Sequence, residues 1–262
     1  MARSSLSPFV LPVPPAGALV SAAAGEEVPV PETARDSVDG AVERAQALVE
    51  RVKPKLRGVL HEVAFAISLI TGTALVCLAP DGRARLAAVV YAVSVAGLFG
   101  TSAALHRGTW SARGEEVMTR LDHSMIFVLI AGTYTPFALL LLEGGTRTVA
   151  LSVVWGGATA GVLLRLALGS RRWLFTGLYL ALGWVALAFL PQLARAGGTA
   201  VIVLILLGGL FYSVGAVVYA TKRPRLSERW FGFHELFHAL TLAAFAVHYV
   251  AVSVTTYGAG QA

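Results

Sequence analysis

Seven long apolar runs, separated by short polar connections, organise most of the chain. They lie at about 58–79, 85–106, 120–142, 147–168, 173–193, 199–220 and 232–254, each near the ~20 residues that cross a bilayer as a helix. None alternates apolar and polar positions, and all are far longer than barrel strands, so helices are the expected spanning form. Pro136 falls inside the third run and predicts a kink, and Pro191 near the end of the fifth predicts a milder break. Residues 1–56 lack any sustained apolar run. Their opening has a faint signal-peptide look, with Arg3, an apolar stretch and small residues near Ala24, but Pro8, Pro12, Pro14 and Pro15 break the helix such a segment needs. A disordered tail is expected there. Val38, Ala41, Val42, Ala45, Leu48, Val49 and Val52 then recur at helical spacing and predict a short amphipathic helix on the membrane face.

Composition sharpens this picture. Hydrophobic residues make up 56% and charged residues 14% of the 262 residues, against roughly 25% charge in soluble domains. Such a chain cannot cover its surface with water-compatible groups, so it is an integral membrane protein. Cys77 is the single cysteine, which excludes a disulfide scaffold. The net charge of +6 does not point to nucleic acid, because the basic residues form no patch or stripe. They cluster between the apolar runs instead.

The clusters also set the orientation. Arg51, Lys53, Lys55 and Arg57, then Arg107, Arg113 and Arg120, then Arg165, Arg171 and Arg172, and last Lys222, Arg223, Arg225 and Arg229 fall on one side. The other side has Arg83, Arg85, Arg147 and Arg195. The positive-inside rule then gives a cytoplasmic N-terminus and an external C-terminus. The expected architecture is an all-α, seven-helix transmembrane bundle over residues 57–256, with a cytoplasmic tail (1–56) before it and a short external tail (257–262) after it.

Ionisable groups inside such helices are costly and mark function by default. The second run ends at Ser102 and His106, the third opens with Asp122 and His123, and the seventh opens with His234 and His238. The topology, drawn from Lys and Arg alone, brings all of these to one depth near the cytoplasmic boundary. His234 and His238 are i, i+4 and share a helix face, as do Ser102 and His106. Three neutral imidazoles, His106, His234 and His238, make a catalytic zinc shell with a fourth position open for water. Asp122 could hold that water or ligate directly. The bland alternative, helix-capping or headgroup-facing histidines, suits any one of them alone better than all of them together.

His234-Glu-Leu-Phe-His238 also matches the HExxH pattern of zinc proteases, with Glu235 as general base. A third protease ligand is missing downstream, since His248 stands about 15 Å further up the helix, and Glu235 lies about 100° around from His234. His61 and Glu62 open the first helix and either line the cavity or face headgroups. His123 points away from Asp122, so one of the two faces the metal. His248 is expected to be packed or interfacial. The pairs Gly156-Gly157 and Gly208-Gly209 read as close helix packing, because no strand precedes them and no GK[ST] follows.

These stretches, SAALHRGTW, LDHSMIFVLIAGTYTPF, LYLALGWVAL, GGLFYSVGAVVYA and FGFHELFHALTLAAFAVHY, resemble the bacterial hemolysin III family, within the progestin and adipoQ receptor superfamily that is related to alkaline ceramidases. The resemblance covers about residues 58–254 and omits the tail. It implies zinc (Zn2+) on His106, His234 and His238, with Asp122 contacting the metal through water and Ser102 supporting the site. It also implies seven helices with the N-terminus inside, in a bacterial plasma membrane. Glu235 and the acidic, Pro-rich tail depart from the family pattern.

Two functional classes follow. The favoured one is a zinc-dependent hydrolase of a lipid amide or ester, with membrane lipid as partner, Asp122 as proton acceptor and Ser102 as an oxyanion or orienting donor. The other is a non-catalytic receptor, sensor or cytolysin in which zinc clamps helices together. An HExxH intramembrane metalloprotease is a lesser alternative, and no amphipathic pore former supports a dedicated toxin.

Overall fold

The computed structural model describes residues 58–169, 171–224 and 232–259. The expected tail helix and the signal-peptide-like opening lie outside the described residues. Those described form an all-α protein: α1 (Val59–Leu78), α2 (Arg83–Arg107), α3 (Ala112–Leu141), α4 (Gly144–Leu168), α5 (Arg172–Gly183), a 3-10 segment (Trp184–Phe189), α6 (Leu190–Thr221) and α7 (Phe233–Gly258). Six helical stretches among them are long and apolar enough to cross a membrane, one being the 50-residue run Arg172–Thr221.

Most boundaries fall close to the apolar runs. One departure is α3, which starts at Ala112 rather than near 120. Ser111 caps it, its Oγ accepting from the Gly114 amide at 3.2 Å, and Glu116 pairs with Arg120 one turn on. Capping and an i,i+4 pair carry the helix beyond the apolar run, where an apolar pattern has nothing to report. The helix also continues past Pro136 to Leu141.

The run from Arg172 to Thr221 is interrupted twice. Pro191 has no N–H to offer Leu187, and the preceding turn tightens to a 3-10 segment in which the Leu190 amide reaches the Leu187 carbonyl. The break thus falls before Pro191. Further on, Gly198 leaves helical geometry at φ 73°, ψ 174°, a left-handed φ that glycine tolerates without strain. The apolar runs predicted a boundary between 193 and 199, and Gly198 lies within it.

α3 lies at the centre, against α2, α4, α5, α6 and α7, while α7 also meets α1, α2 and α6. Helix contacts use small residues, among them Ala64, Ala87, Ala88, Ala131, Ala158, Ala244 and Ala251, all buried. Large apolar side chains face outward, as with Ile70 at 72% exposed. This suits lipid, which lets bulky apolar groups remain outside and rewards close backbone approach inside. Of the glycine pairs, Gly157 abuts Leu182 and Gly208 abuts His248, whereas Gly156 faces open space.

Candidate metal centre and cavity

Three imidazoles meet where the end of α2 faces the start of α7. His106 sits in the last turn of α2, and His234 and His238 sit one turn apart at the beginning of α7. One ligand atom from each lies within 4.8 Å of the other two. His106 Nε2 and His234 Nε2 face each other at 3.2 Å, and the His234 and His238 rings are 4.3 Å apart. Nitrogens at such a distance share either a proton or a cation. These three residues could hold a metal ion.

A fourth imidazole joins them from α1. His61 stacks on His238 with centroids 3.7 Å apart and planes within 6°, and its far side meets the Phe99 edge. Its Nδ1 lies 2.7 Å from Ser102 Oγ, and its Nε2 has no hydrogen-bond partner. Buried to 3% exposure, His61 lines the cavity and does not face headgroups. Ser102 and Asp122 line the same cavity beside it.

The remaining candidates separate. His123 has both ring nitrogens engaged: Nδ1 lies 2.8 Å from the Thr119 carbonyl and Nε2 2.9 Å from Tyr219 Oη. The carbonyl takes the Nδ1 proton, so Nε2 accepts from the tyrosine and His123 offers the cluster nothing. Glu235 is 1% exposed, and its carboxylate accepts from the Gly232 amide at 2.9 Å, which closes the N-terminus of its own helix. It is not a lining residue of the cavity. Arg165, read from the sequence as a connection charge, is instead buried on α4, where it donates to the Gly169 carbonyl at 2.6 Å and lies over the Phe175 ring. His248 is packed rather than interfacial, buried with Nε2 at 3.1 Å from the Ile205 carbonyl.

Above the cluster lies a cavity of about 140 Å³. His61, Ser102, Asp122, His234 and His238 close one end, Ile126, Leu129 and Phe237 form apolar wall, and Trp184, Tyr134 and His248 stand at the other end. Tyr179 and Tyr219 line it too. They escaped sequence reasoning because a tyrosine in an apolar helix is ordinary; only proximity to His123 marks them, Tyr179 Oη donating to the His123 carbonyl at 3.0 Å.

The chain matches the family described as Haemolysin-III related over residues 49–249. It is 32% identical over 164 residues to the hemolysin-3 homolog of Bacillus subtilis (strain 168), covering 62% of this chain and 74% of that one. It is also 32% identical over 171 residues to hemolysin-3 of Bacillus cereus, covering 64% and 74%.

Proposed function

For a chain that belongs to the Haemolysin-III related family, and is therefore a multi-pass integral protein of a bacterial membrane, we propose zinc-dependent hydrolysis of a lipid amide or ester. The observation that carries this reading is the set of three imidazole nitrogens gathered beside a largely apolar cavity, which His234 and His238 line. At Zn–N bonds of 2.0–2.1 Å, tetrahedral ligands stand about 3.3 Å apart, close to the 3.2 Å between His106 and His234. The chemistry of three neutral imidazoles fits zinc, which supplies carbonyl polarisation and acidified water.

The other residues take the supporting parts. Asp122 stands outside the set of mutually close donors, with His123 Nδ1 3.5 Å from its carboxylate, and its part in this reading is to accept a proton. Ser102, bonded to His61 and lining the cavity with Asp122, orients that carboxylate. The cavity takes an acyl chain and excludes water from the head that reacts. Glu235, tied to its helix terminus, makes a poor general base, and the protease reading weakens accordingly.

The membrane arrangement belongs to the same proposal. A straight helix over the 50 residues Arg172–Thr221 would be about 75 Å long, more than twice the ~30 Å hydrocarbon core. Gly198 is the natural turning point between two crossings, giving seven in all, with the basic bias keeping the N-terminus and the cluster at the cytoplasmic side.

The zinc-clamp reading has one observation in its favour: the three histidines join two separate helices. Asp122→Asn separates the two. A hydrolase keeps its zinc and its melting temperature but loses about 10²–10⁴-fold of fatty-acid release from a ceramide-like panel. Loss of zinc together with stability in that variant, or no hydrolysis by wild type across a broad panel, decides for the clamp.

A further inference from the structure

At the end of the cavity remote from the three imidazoles stands another histidine that the proposed chemistry does not use. His248 lies ten residues beyond His238 on α7, about 15 Å along the axis at 1.5 Å per residue. Its Nε2 is 3.1 Å from the Ile205 carbonyl oxygen. A carbonyl only accepts, so the proton sits on Nε2 and Nδ1 carries a lone pair. That Nδ1 is buried without a hydrogen-bond partner, on a ring 8% exposed. A buried acceptor without a donor costs stability, yet the fold seats this ring with care: a Cβ at position 208 would collide with it, so only glycine fits opposite.

The position is a neck. His248 lines the main cavity and also a second, smaller one of about 50 Å³, with Thr133, Tyr134, Gly183, Trp184 and Gly209 common to both. Two of its polar neighbours, Tyr134 and Trp184, are satisfied. Tyr134 Oη donates to the Gly183 carbonyl and accepts from the Ala186 amide, both at 2.6 Å. Trp184 Nε1 donates to Ser213 Oγ at 2.9 Å, and that hydroxyl donates to the Gly209 carbonyl. Among the described residues of the neck, His248 Nδ1 is the one buried side-chain atom left unpaired.

We propose that His248 is a second recognition point for the chain of the lipid, its Nδ1 accepting a hydrogen bond from a hydroxyl carried part-way along that chain. The inference rests on the reading of the cavity as an acyl-chain site and adds the chemistry of the chain. Only a donor fits a lone pair, so the group is a hydroxyl and not a ketone or an ether. It stands about 15 Å from the head held at the imidazole cluster. Nδ1 is enclosed, so the hydroxyl meets it as the neck parts around the entering chain.

The test uses full-length protein purified in detergent, displacing a fluorescent fatty acid with a plain saturated fatty acid or with isomers bearing one hydroxyl at successive positions. One isomer, with its hydroxyl at the matching distance, is expected to bind about tenfold more tightly than the plain chain, which is about 1.4 kcal/mol. His248→Phe keeps a ring beside Gly208 and is expected to erase that preference, so that all hydroxyl isomers bind alike. A flat profile across hydroxyl positions in wild type overturns the inference, as does a preference that survives in His248→Phe. The wild-type scan decides by itself should the variant fail to fold. Plain-chain binding with a flat profile removes the role of His248 and leaves the hydrolase standing. A preferred hydroxylated chain that is bound, but never released from its amide or ester, upholds His248 and removes the hydrolase. Failure to bind any chain overturns both.

Discussion

Helices α1, α2, α3 and α7 supply His61, Ser102, Asp122, His234 and His238, with His106 beside them, whereas α5, the 3-10 segment and α6 supply Tyr179, Trp184, Tyr212 and Tyr219 to the same cavity. The first group is built from donor atoms that must converge on a point, which demands fixed spacing along each helix. The second makes walls, which demand shape and a satisfied hydroxyl or indole. The two requirements leave different traces. A pair of histidines four residues apart in an apolar helix is costly and therefore conspicuous, while an aromatic wall looks like any packed membrane helix. The backbone differs as well: the wall half carries both helix interruptions, at Trp184–Phe189 and at Gly198, while α1, α2, α3 and α7 run without one.

The largest effect available is an all-or-none one, and it bears on the wall half. If Arg172–Thr221 crosses twice around Gly198, a reporter fused after Ala262 is external and one placed before Arg51 is cytoplasmic. A cytoplasmic C-terminal reporter would mean one crossing fewer than proposed. It would also remove the shared depth at which the polar half was assembled from its basic flanks.

Next in size come the imidazoles. His106→Ala, His234→Ala and His238→Ala are each expected to lower bound zinc from about one ion per chain to a small fraction of that, measured by elemental analysis of the purified protein. Stability falls with it, because a metal present at a thousandfold over its Kd contributes about 4 kcal/mol to the folded state. His248→Ala, about 15 Å from His238, leaves zinc content unchanged. Equal loss from that variant would show that the polar half extends the length of the cavity and that the ligand set is wrong.

The sequence made the polar half legible to an uneven degree. His106, His234, His238, Ser102 and Asp122 stood out because i,i+4 spacing and the Lys/Arg topology, two independent signals, agreed on one depth. His61 was left open between cavity and headgroup, since its partners Ser102 and His238 lie on other helices and no spacing within α1 reveals them. Arg165 was misread outright: a charge near a run boundary counts as a loop charge in any sequence tally, and only the packing of Phe175 and Gly169 against it shows that it is buried. The start of α3 was missed for a related reason. Apolar pattern reports the bilayer, not the helix, and the nine residues from Ala112 to Arg120 are helical through Ser111 capping and the Glu116–Arg120 pair. In the wall half the interruption near 193–199 was legible as a gap in hydropathy, but the 3-10 turn before Pro191 followed from backbone chemistry that hydropathy does not record.

The smallest effect concerns His61, the member of the polar half that touches a candidate ligand without being one. Metal-bound histidines depend on neighbours that hold the ring in place, and losing such a neighbour costs about 10–100-fold in affinity. Here the neighbour of His238 is a parallel ring at 3.7 Å, anchored in turn by Ser102 and Phe99. Two substitutions divide those contacts. His61→Ala removes both the stacked ring and the bond to Ser102, and is expected to weaken zinc binding by about tenfold in a chelator competition. His61→Phe restores a flat ring against His238 and the contact with Phe99, without the bond to Ser102, and is expected to return zinc affinity to near the wild-type value. If His61 merely fills space, the two variants will differ in melting temperature and not in zinc affinity. If its bond to Ser102 is what holds the site, the Phe variant will bind zinc as poorly as the Ala variant. Recovery in Phe alone identifies the stack as the means by which α1, which carries none of the three candidate ligands, holds a ligand of α7 in place.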